Sequence, residues 1–203
     1  SMVPALPDDT IAALCVTEAG GNFPRAIRTT LTPEGDGYRI SGEKRWTTLG
    51  PGGGLFIVIA RTADGDDARP SLRAALVRSG TAGLAIDPIA AMDFVPEVPH
   101  ARIRLENLRV EALDLLPGDA YAGYVKPFRT IEDIHIHAAT IAYLCAEARA
   151  RGWPQAWRER AAALLHALAG LAQLDPLAPQ THMALAGALA VGSALIADTD
   201  PLW

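Results

Sequence analysis

Cysteine is almost missing from this 203-residue chain: Cys15 and Cys145 are the only two, far apart and outside any Cys-x-x-Cys pair. That excludes a disulfide framework and a thiolate metal site, and it fits a reducing, cytoplasmic setting. Lysine is equally scarce. Only Lys44 and Lys126 stand among the 18 basic residues, the rest being arginines scattered without a dense cluster, against 23 acids and a formal net charge of -5. Nucleic acid is therefore not an expected partner, because phosphate contacts need a focused basic face. The N-terminus has no basic-then-apolar export signal, and Ser1 ahead of Met2 reads as a leftover residue before a start. Long hydrophobic runs are lacking too. The longest uncharged one, Met183 to Ala197, falls short of the roughly 18 residues of a membrane span and is rich in Ala and Gly, so a buried helix is expected and a membrane partner is not.

What is present suffices for a globular fold. Half of the residues are hydrophobic and a fifth are charged, which excludes disorder and leaves interior enough for one domain or two small ones. The chain changes character near residue 120. From Leu14 to Leu116, Gly, Pro and Asp interrupt β-branched and aromatic runs at short intervals, the grammar of strands and turns. Strands are expected at Leu14–Thr17, Ile27–Thr32, Gly37–Ser41, Lys44–Thr48, Leu55–Arg61, Ala74–Arg78, Leu84–Ile89 and Ala101–Leu105, with a tight hairpin at Gly35-Asp36-Gly37. Beyond Gly118 come Ala/Leu-rich segments separated by proline, predicting helices over Pro127–Arg151, Pro154–Leu174 and Pro179–Ala197. In the first of these, Ile131, Ile134, Ala138, Ile141 and Cys145 recur at helical spacing as an apolar stripe. The expected class is α+β, an antiparallel β-barrel or sandwich over 1–119 followed by a three-helix segment over 120–203.

The chemistry-bearing stretch is Leu14-Cys15-Val16-Thr17-Glu18-Ala19-Gly20-Gly21-Asn22, followed later by Trp46-Thr47-Thr48. A strand that ends in Thr-Glu and enters a Gly-rich turn offers a hydroxyl, backbone N–H groups and close approach to an anionic or heteroaromatic ligand. In isolation it is equally a plain turn between strands. The order of motifs goes further. Thr17-Glu18-Ala19-Gly20-Gly21, then Gly35-Asp36-Gly37-Tyr38 leading into Ser41-Gly42-Glu43-Lys44-Arg45-Trp46-Thr47-Thr48, then Ala101 to Val110 with Leu115-Leu116-Pro117-Gly118, resembles the middle β-domain of the acyl-CoA dehydrogenase family.

The resemblance implies an FAD isoalloxazine edge held by this domain. Val16 and Thr17 would face the pyrimidine side, Gly21 and Asn22 would lie near the pyrophosphate, and Trp46 and Thr48 would lie beside the ring, the Thr48 hydroxyl near its reactive nitrogen. Donors there favour a ring that gains negative charge on accepting hydride, and an aromatic wall excludes water. Acyl-CoA dehydrogenation also needs a carboxylate base. A minority of the family carries it on the first helix after the β-domain, which on alignment of Ala138-Ala139 points to Asp133, with Glu132 beside it. The plain alternative makes Glu132 with His135 and Asp133 with His137 ordinary helix pairs.

Departures from the family pattern are specific. Ala19 stands for the usual Pro, Asn22-Phe23-Pro24 for Gly-Ser-Asp, and Leu49 for Asn, and the turn is one residue short. The family's N-terminal helical domain and late C-terminal Gly-Gly segment have no counterpart, so an FAD held on one face would bind weakly unless another chain completes the site. Two functions follow: an FAD-dependent oxidoreductase acting on the CH–CH group of acyl-CoA or another thioester, or a non-catalytic scaffold of the same fold that has lost FAD. A related oxidase or hydroxylase shares the same flavin edge. The apolar helices imply a homodimer through the C-terminal segment. No metal site is expected: Glu132-x-x-His135 has no second copy, and His100, His166 and His182 are isolated structural residues. Gly50-Pro51-Gly52-Gly53-Gly54 reads as a flexible turn rather than a phosphate loop.

Overall fold

The computed structural model describes residues 7–93 and 95–202, so the expectations for Ser1 and Met2 lie outside the described residues. The chain divides into two units, 1–123 and 124–203. The first is a curled mixed sheet and the second a set of three helices, the α+β class that the sequence predicts.

The sheet contains β1 (Ala12–Cys15), β2 (Thr30–Glu34), β3 (Gly37–Thr48), β4 (Leu55–Arg61), β5 (Leu72–Arg78), β6 (Leu84–Pro88) and β7 (His100–Glu111). Its pairing is not antiparallel throughout. β1 runs parallel to β4 from Ala12↔Leu55 to Cys15↔Val58, and β2 meets the same strand in parallel at Thr30↔Arg61. Since β5 covers the other edge of β4 along its whole length, β1 and β2 occupy one slot, as two halves of an interrupted strand between β4 and β3. Residues 16–29 are the interruption, and they form the Thr-Glu turn. Phe56, Ile40, Ile103 and Leu108 close the core beneath.

Two strands were expected where β3 runs unbroken for 12 residues. Gly42 carries it across the gap. Its φ is +154°, and a Cβ there would lie 2.7 Å from the Thr29 Cα, so glycine alone allows β3 to pass this close to residue 29. The glycine run after β3 also departs from expectation. It is packed rather than loose: Gly50 is buried, and a Cβ on it would lie 2.8 Å from that of Ala101.

A buried ion pair ties the interruption down. Lys44, with 0% exposure, projects from β3 to place Nζ 2.7 Å from Glu18 Oε1 and 3.2 Å from the Val16 carbonyl oxygen, to both of which it donates. Glu18 accepts three more hydrogen bonds, from Thr29 N–H at 3.0 Å, Thr29 Oγ1 at 2.7 Å and Arg28 N–H at 2.7 Å. Burying either charge alone would cost several kcal/mol, and only the pair with its hydrogen bonds offsets that cost. Burial pushes the Glu18 carboxyl up, but the Lys44 ammonium and the Lys44 and Thr29 hydrogen bonds outweigh it and hold it below the usual carboxylate range. For Lys44, burial dominates and holds the ammonium below the usual lysine range despite Glu18.

The helices are α1 (Lys126–Arg151), α2 (Gln155–Leu171) and α3 (Pro179–Ala197). Trp153 and Trp157 meet edge to face at 4.9 Å, and Trp157 Nε1 donates to the Leu195 carbonyl at 3.1 Å, joining α2 to α3. Two expectations need correction. On α1 the expected stripe holds at Ile134, Ala138, Ile141 and Cys145, which pack inward with Leu144 and Ala148, but not at Ile131, which is exposed. α3 is not a buried helix: Thr181, Leu185, Gly192 and Leu195 are buried and Ala188 and Leu189 partly so, but Met183 is 77% exposed. A three-helix unit covers one stripe of each helix, and Ala and Gly elsewhere on α3 keep it apolar without being buried. At 19 residues and a mean hydropathy of 1.3, α3 meets the length and composition of a membrane-crossing helix.

Lys44→Met leaves Glu18 charged and without its counter-ion, so it should cost about 3–5 kcal/mol, read as a lower urea midpoint at unchanged slope. Glu18→Met should cost similarly, and the double variant less than the sum of the two. The Glu18 carboxyl is lowered on folding, so its contribution is complete above its unfolded value, near pH 4.5, and fades as the pH falls through the lower folded value. Urea titrations in acid should therefore show the parent losing stability over a range in which Glu18→Met does not.

Candidate functional site

The residues that the resemblance marks for the ring edge fall where β1 runs out beside the end of β3. The Arg45 N–H donates to the Thr17 carbonyl at 3.0 Å, and the Thr47 hydroxyl lies 3.7 Å from Cys15 Sγ. Glu18 with Lys44 and Cys15 with Thr47 are therefore two inward-facing pairs flanking a short stretch. Between them, Val16, Thr17 and Arg45 are half-buried and Trp46 is 50% exposed. Inward pairs on both sides leave these four residues to form the outer surface of the seam.

Trp46 stands out by its backbone. Between Lys44 and Thr47 the register against β7 slips, with Lys44↔Ile103 followed by Thr47↔Ala101, so β3 carries one extra residue. At this bulge Trp46 adopts φ +63°, a conformation that a bulky side chain avoids unless its surroundings impose it. An exposed, strained indole is costly in water and is a common mark of a binding surface. Leu49, in the position where Asn is usual, is also left-handed, at φ +59°.

Thr48 follows on the exposed side. Its Oγ1 lies 3.3 Å from His100 Nε2, and His100 Nδ1 lies 2.8 Å from the Val98 carbonyl. The turn itself is closed: Glu18 N–H donates to the Gly21 carbonyl and Gly21 N–H to the Glu18 carbonyl, both at 3.0 Å. Gly21 thus has no spare N–H to offer an anion, and Asn22 beside it is half-buried. An open cleft of about 620 Å³ borders the turn, lined by Gly20, Phe23, Arg25, Arg28, Gly42 and Glu43 among others. Its lining includes none of Val16, Thr17, Trp46 and Thr48, so this cleft and the exposed indole surface are separate features.

Asp133 and Glu132 belong to the other unit, on α1, the first half-buried and the second exposed. Burial, then the neighbouring Asp133 charge, raise the Glu132 carboxyl above its usual range. The expected pairing of Asp133 with His137 takes another form: the His137 Nδ1 donates at 2.8 Å to the Asp133 backbone carbonyl, which leaves the Asp133 carboxylate free of that partner. Cys15 is inert, with burial pushing its thiol up to about 12. Among the described residues no three His, Cys, Asp or Glu side chains gather as metal ligands.

Sequence reading quotes Glu18 and Lys44 inside motifs without assigning them a role, and it sets His100 aside as isolated. The signal for Lys44 is its rarity. Rarity alone does not mark a buried site, since the other lysine, Lys126, is exposed. For His100 no sequence signal exists, because its partner Thr48 comes from strand pairing.

Comparison with known proteins agrees with this architecture. Residues 13–108 match the family model "Acyl-CoA dehydrogenase, middle domain". The benzylmalonyl-CoA dehydrogenase of Aromatoleum aromaticum is 44% identical over 62 residues, covering 30% of this chain and 16% of the relative. The probable acyl-CoA dehydrogenase YngJ of Bacillus subtilis is 33% identical over 132 residues, covering 65% of this chain and 33% of the relative. The butyryl-CoA dehydrogenase structure from Megasphaera elsdenii superposes with a TM-score of 0.74 at 17% identity, over 92% of this chain and 55% of that one. The chain thus spans a third or less of these curated relatives and about half of the solved one. By its motifs and the match over 13–108, that stretch of the chain is an acyl-CoA dehydrogenase middle domain, and the chain's curated and structural neighbours are acyl-CoA dehydrogenases.

Proposed function

We propose that the chain is an acyl-CoA dehydrogenase-type flavoprotein, an FAD-dependent oxidoreductase acting on the CH–CH group of an acyl-CoA thioester. The observation that carries this is the half-exposed Trp46, strained at a β-bulge beside Val16 and Thr17. A flat, largely apolar ring laid along that seam removes the indole from water and brings its polar edge to the oxygens of two threonine hydroxyls, a lining that fits an isoalloxazine edge. When bound, FAD supplies the acceptor for the substrate's β-hydrogen. The chain's own residues do the rest: Val16 and Thr17 orient the pyrimidine side, Trp46 excludes water, and Thr48 contacts the ring beside its reactive nitrogen. Gly21 and Asn22 border the pyrophosphate, Gly21 by allowing close approach, since its N–H is engaged by Glu18.

Asp133, or Glu132 beside it, takes the α-proton. A base must be deprotonated to act, and a carboxyl raised by burial holds an abstracted proton more firmly. The helical unit joins a second copy through the apolar face of α3, where Met183, Val191 and Ile196 are exposed. A cytoplasmic location fits the two unpaired cysteines.

A second reading, a scaffold that has lost FAD, is favoured by one observation: the Glu18 and Gly21 N–H groups of the turn are engaged with each other's carbonyls and so are not offered to a phosphate. Purified protein decides between them. A yellow preparation whose flavin band survives gel filtration supports the enzyme, whereas a colourless one indifferent to added FAD supports the scaffold. Trp46→Ala should weaken FAD binding about tenfold by fluorescence titration, a loss in keeping with one aromatic stacking contact. Oxygen uptake by the reduced protein separates an oxidase or hydroxylase from a dehydrogenase. In sedimentation at micromolar concentration a dimer is expected, and Val191→Glu should release monomers.

A further inference from the structure

His100 opens β7 directly opposite Thr48, its register partner on β3, and is buried to 9% exposure. A second bond fixes the place: Leu49 N–H donates to the Pro99 carbonyl at 2.8 Å. The two ring nitrogens of His100 have different partners. A carbonyl only accepts, so the 2.8 Å contact with the Val98 oxygen puts the ring proton on Nδ1. In the neutral ring Nε2 is then a bare acceptor, and the 3.3 Å contact is a hydrogen bond that the Thr48 hydroxyl donates.

A hydroxyl has one proton. With that proton committed to His100, Thr48 Oγ1 has only lone pairs left for any other partner. We propose that His100 is a positioning residue that holds the Thr48 hydroxyl proton, making Thr48 an acceptor toward the bound ligand and selecting a ligand edge that carries an N–H over one that carries a bare nitrogen. The inference rests on the flavin reading for the ligand's identity, while the His100 geometry stands apart from it. Reduced FAD presents an N–H at the edge where oxidised FAD presents a bare nitrogen. His100 therefore favours the reduced form, and removing its acceptor nitrogen frees the Thr48 proton to serve the oxidised one.

The test has a ligand-free arm and a flavin arm. In FAD-free protein with 15N-labelled histidine, at about pH 8 and above the ordinary imidazole range, the His100 ring should be the Nδ1–H tautomer by NMR. In FAD-loaded protein, His100→Ala should shift the ratio of reduced to oxidised affinity about fivefold toward the oxidised form, a fall of about 20 mV in the two-electron midpoint potential. His100→Gln, which keeps an acceptor oxygen, should recover part of it. An Nε2–H tautomer overturns the proposal without reference to any ligand, and decides the matter should His100→Ala fail to fold. A potential unmoved in folded, FAD-loaded His100→Ala overturns the proposal and leaves the flavin reading standing. A parent protein that takes up no FAD overturns the flavin reading and the ligand preference together.

Discussion

The contact between Lys44 and Glu18 organises everything around it. Without it, residues 16–29 would be a loop between two short strands that share a slot beside β4, with nothing to fix where the chain leaves and re-enters the sheet. The ammonium reaches from β3 beneath the interruption, binds the carboxylate on the turn and the carbonyl of Val16, and so sets the height of the seam between them. Thr29 completes the clamp from the far end of the interruption, and it can come that close to β3 only because residue 42 has no side chain. A buried pair of this kind adds little net stability over an apolar substitute but penalises every arrangement in which one partner is left alone. It selects one path for the turn.

The strain at Trp46 depends on that path. The extra residue between Lys44 and Thr47 must go somewhere, and with both neighbours anchored inward, by Glu18 on one side and against Cys15 on the other, the bulge can relieve itself only outward. An indole displayed in this way is costly in water and gains when a flat apolar partner covers it. The same anchors thus bury a charge pair and expose an aromatic surface.

Much of the fold was legible in the sequence because it is written in local terms. β4 and α3 have the boundaries that their punctuation predicts, and the Gly35-Asp36 turn is the hairpin its residues require. What was not legible depends on partners distant in sequence. Nothing in Leu14 to Thr17 announces that β1 lies parallel to β4, since direction is decided by which slot the chain enters after the β2–β3 hairpin. Continuity of β3 through Gly42 depends on Thr29 being adjacent, and the exposure of α3 on how few helices surround it. In the site, Val16, Thr17, Trp46 and Thr48 were visible as motif members, whereas the closed hydrogen bonding of the 18–21 turn and the His100 contact exist only once strands are paired.

The two ends of the seam are built on different physics. At the Glu18 end the carboxylate and the N–H groups of Glu18 and Gly21 are satisfied within the protein, so neither of those two donors is free for an incoming anion. At the Thr48 end the satisfaction is one-sided: a proton is engaged by His100, and lone pairs remain on the hydroxyl oxygen of an exposed residue. A hydroxyl with its proton spent and lone pairs in reserve discriminates by what the ligand can donate to it, because an acceptor facing an acceptor loses its hydration and gains nothing in return. An anionic ligand would thus depend on groups other than the Glu18 and Gly21 N–H for its charge, while a ring with an N–H at its edge would find an acceptor at Thr48.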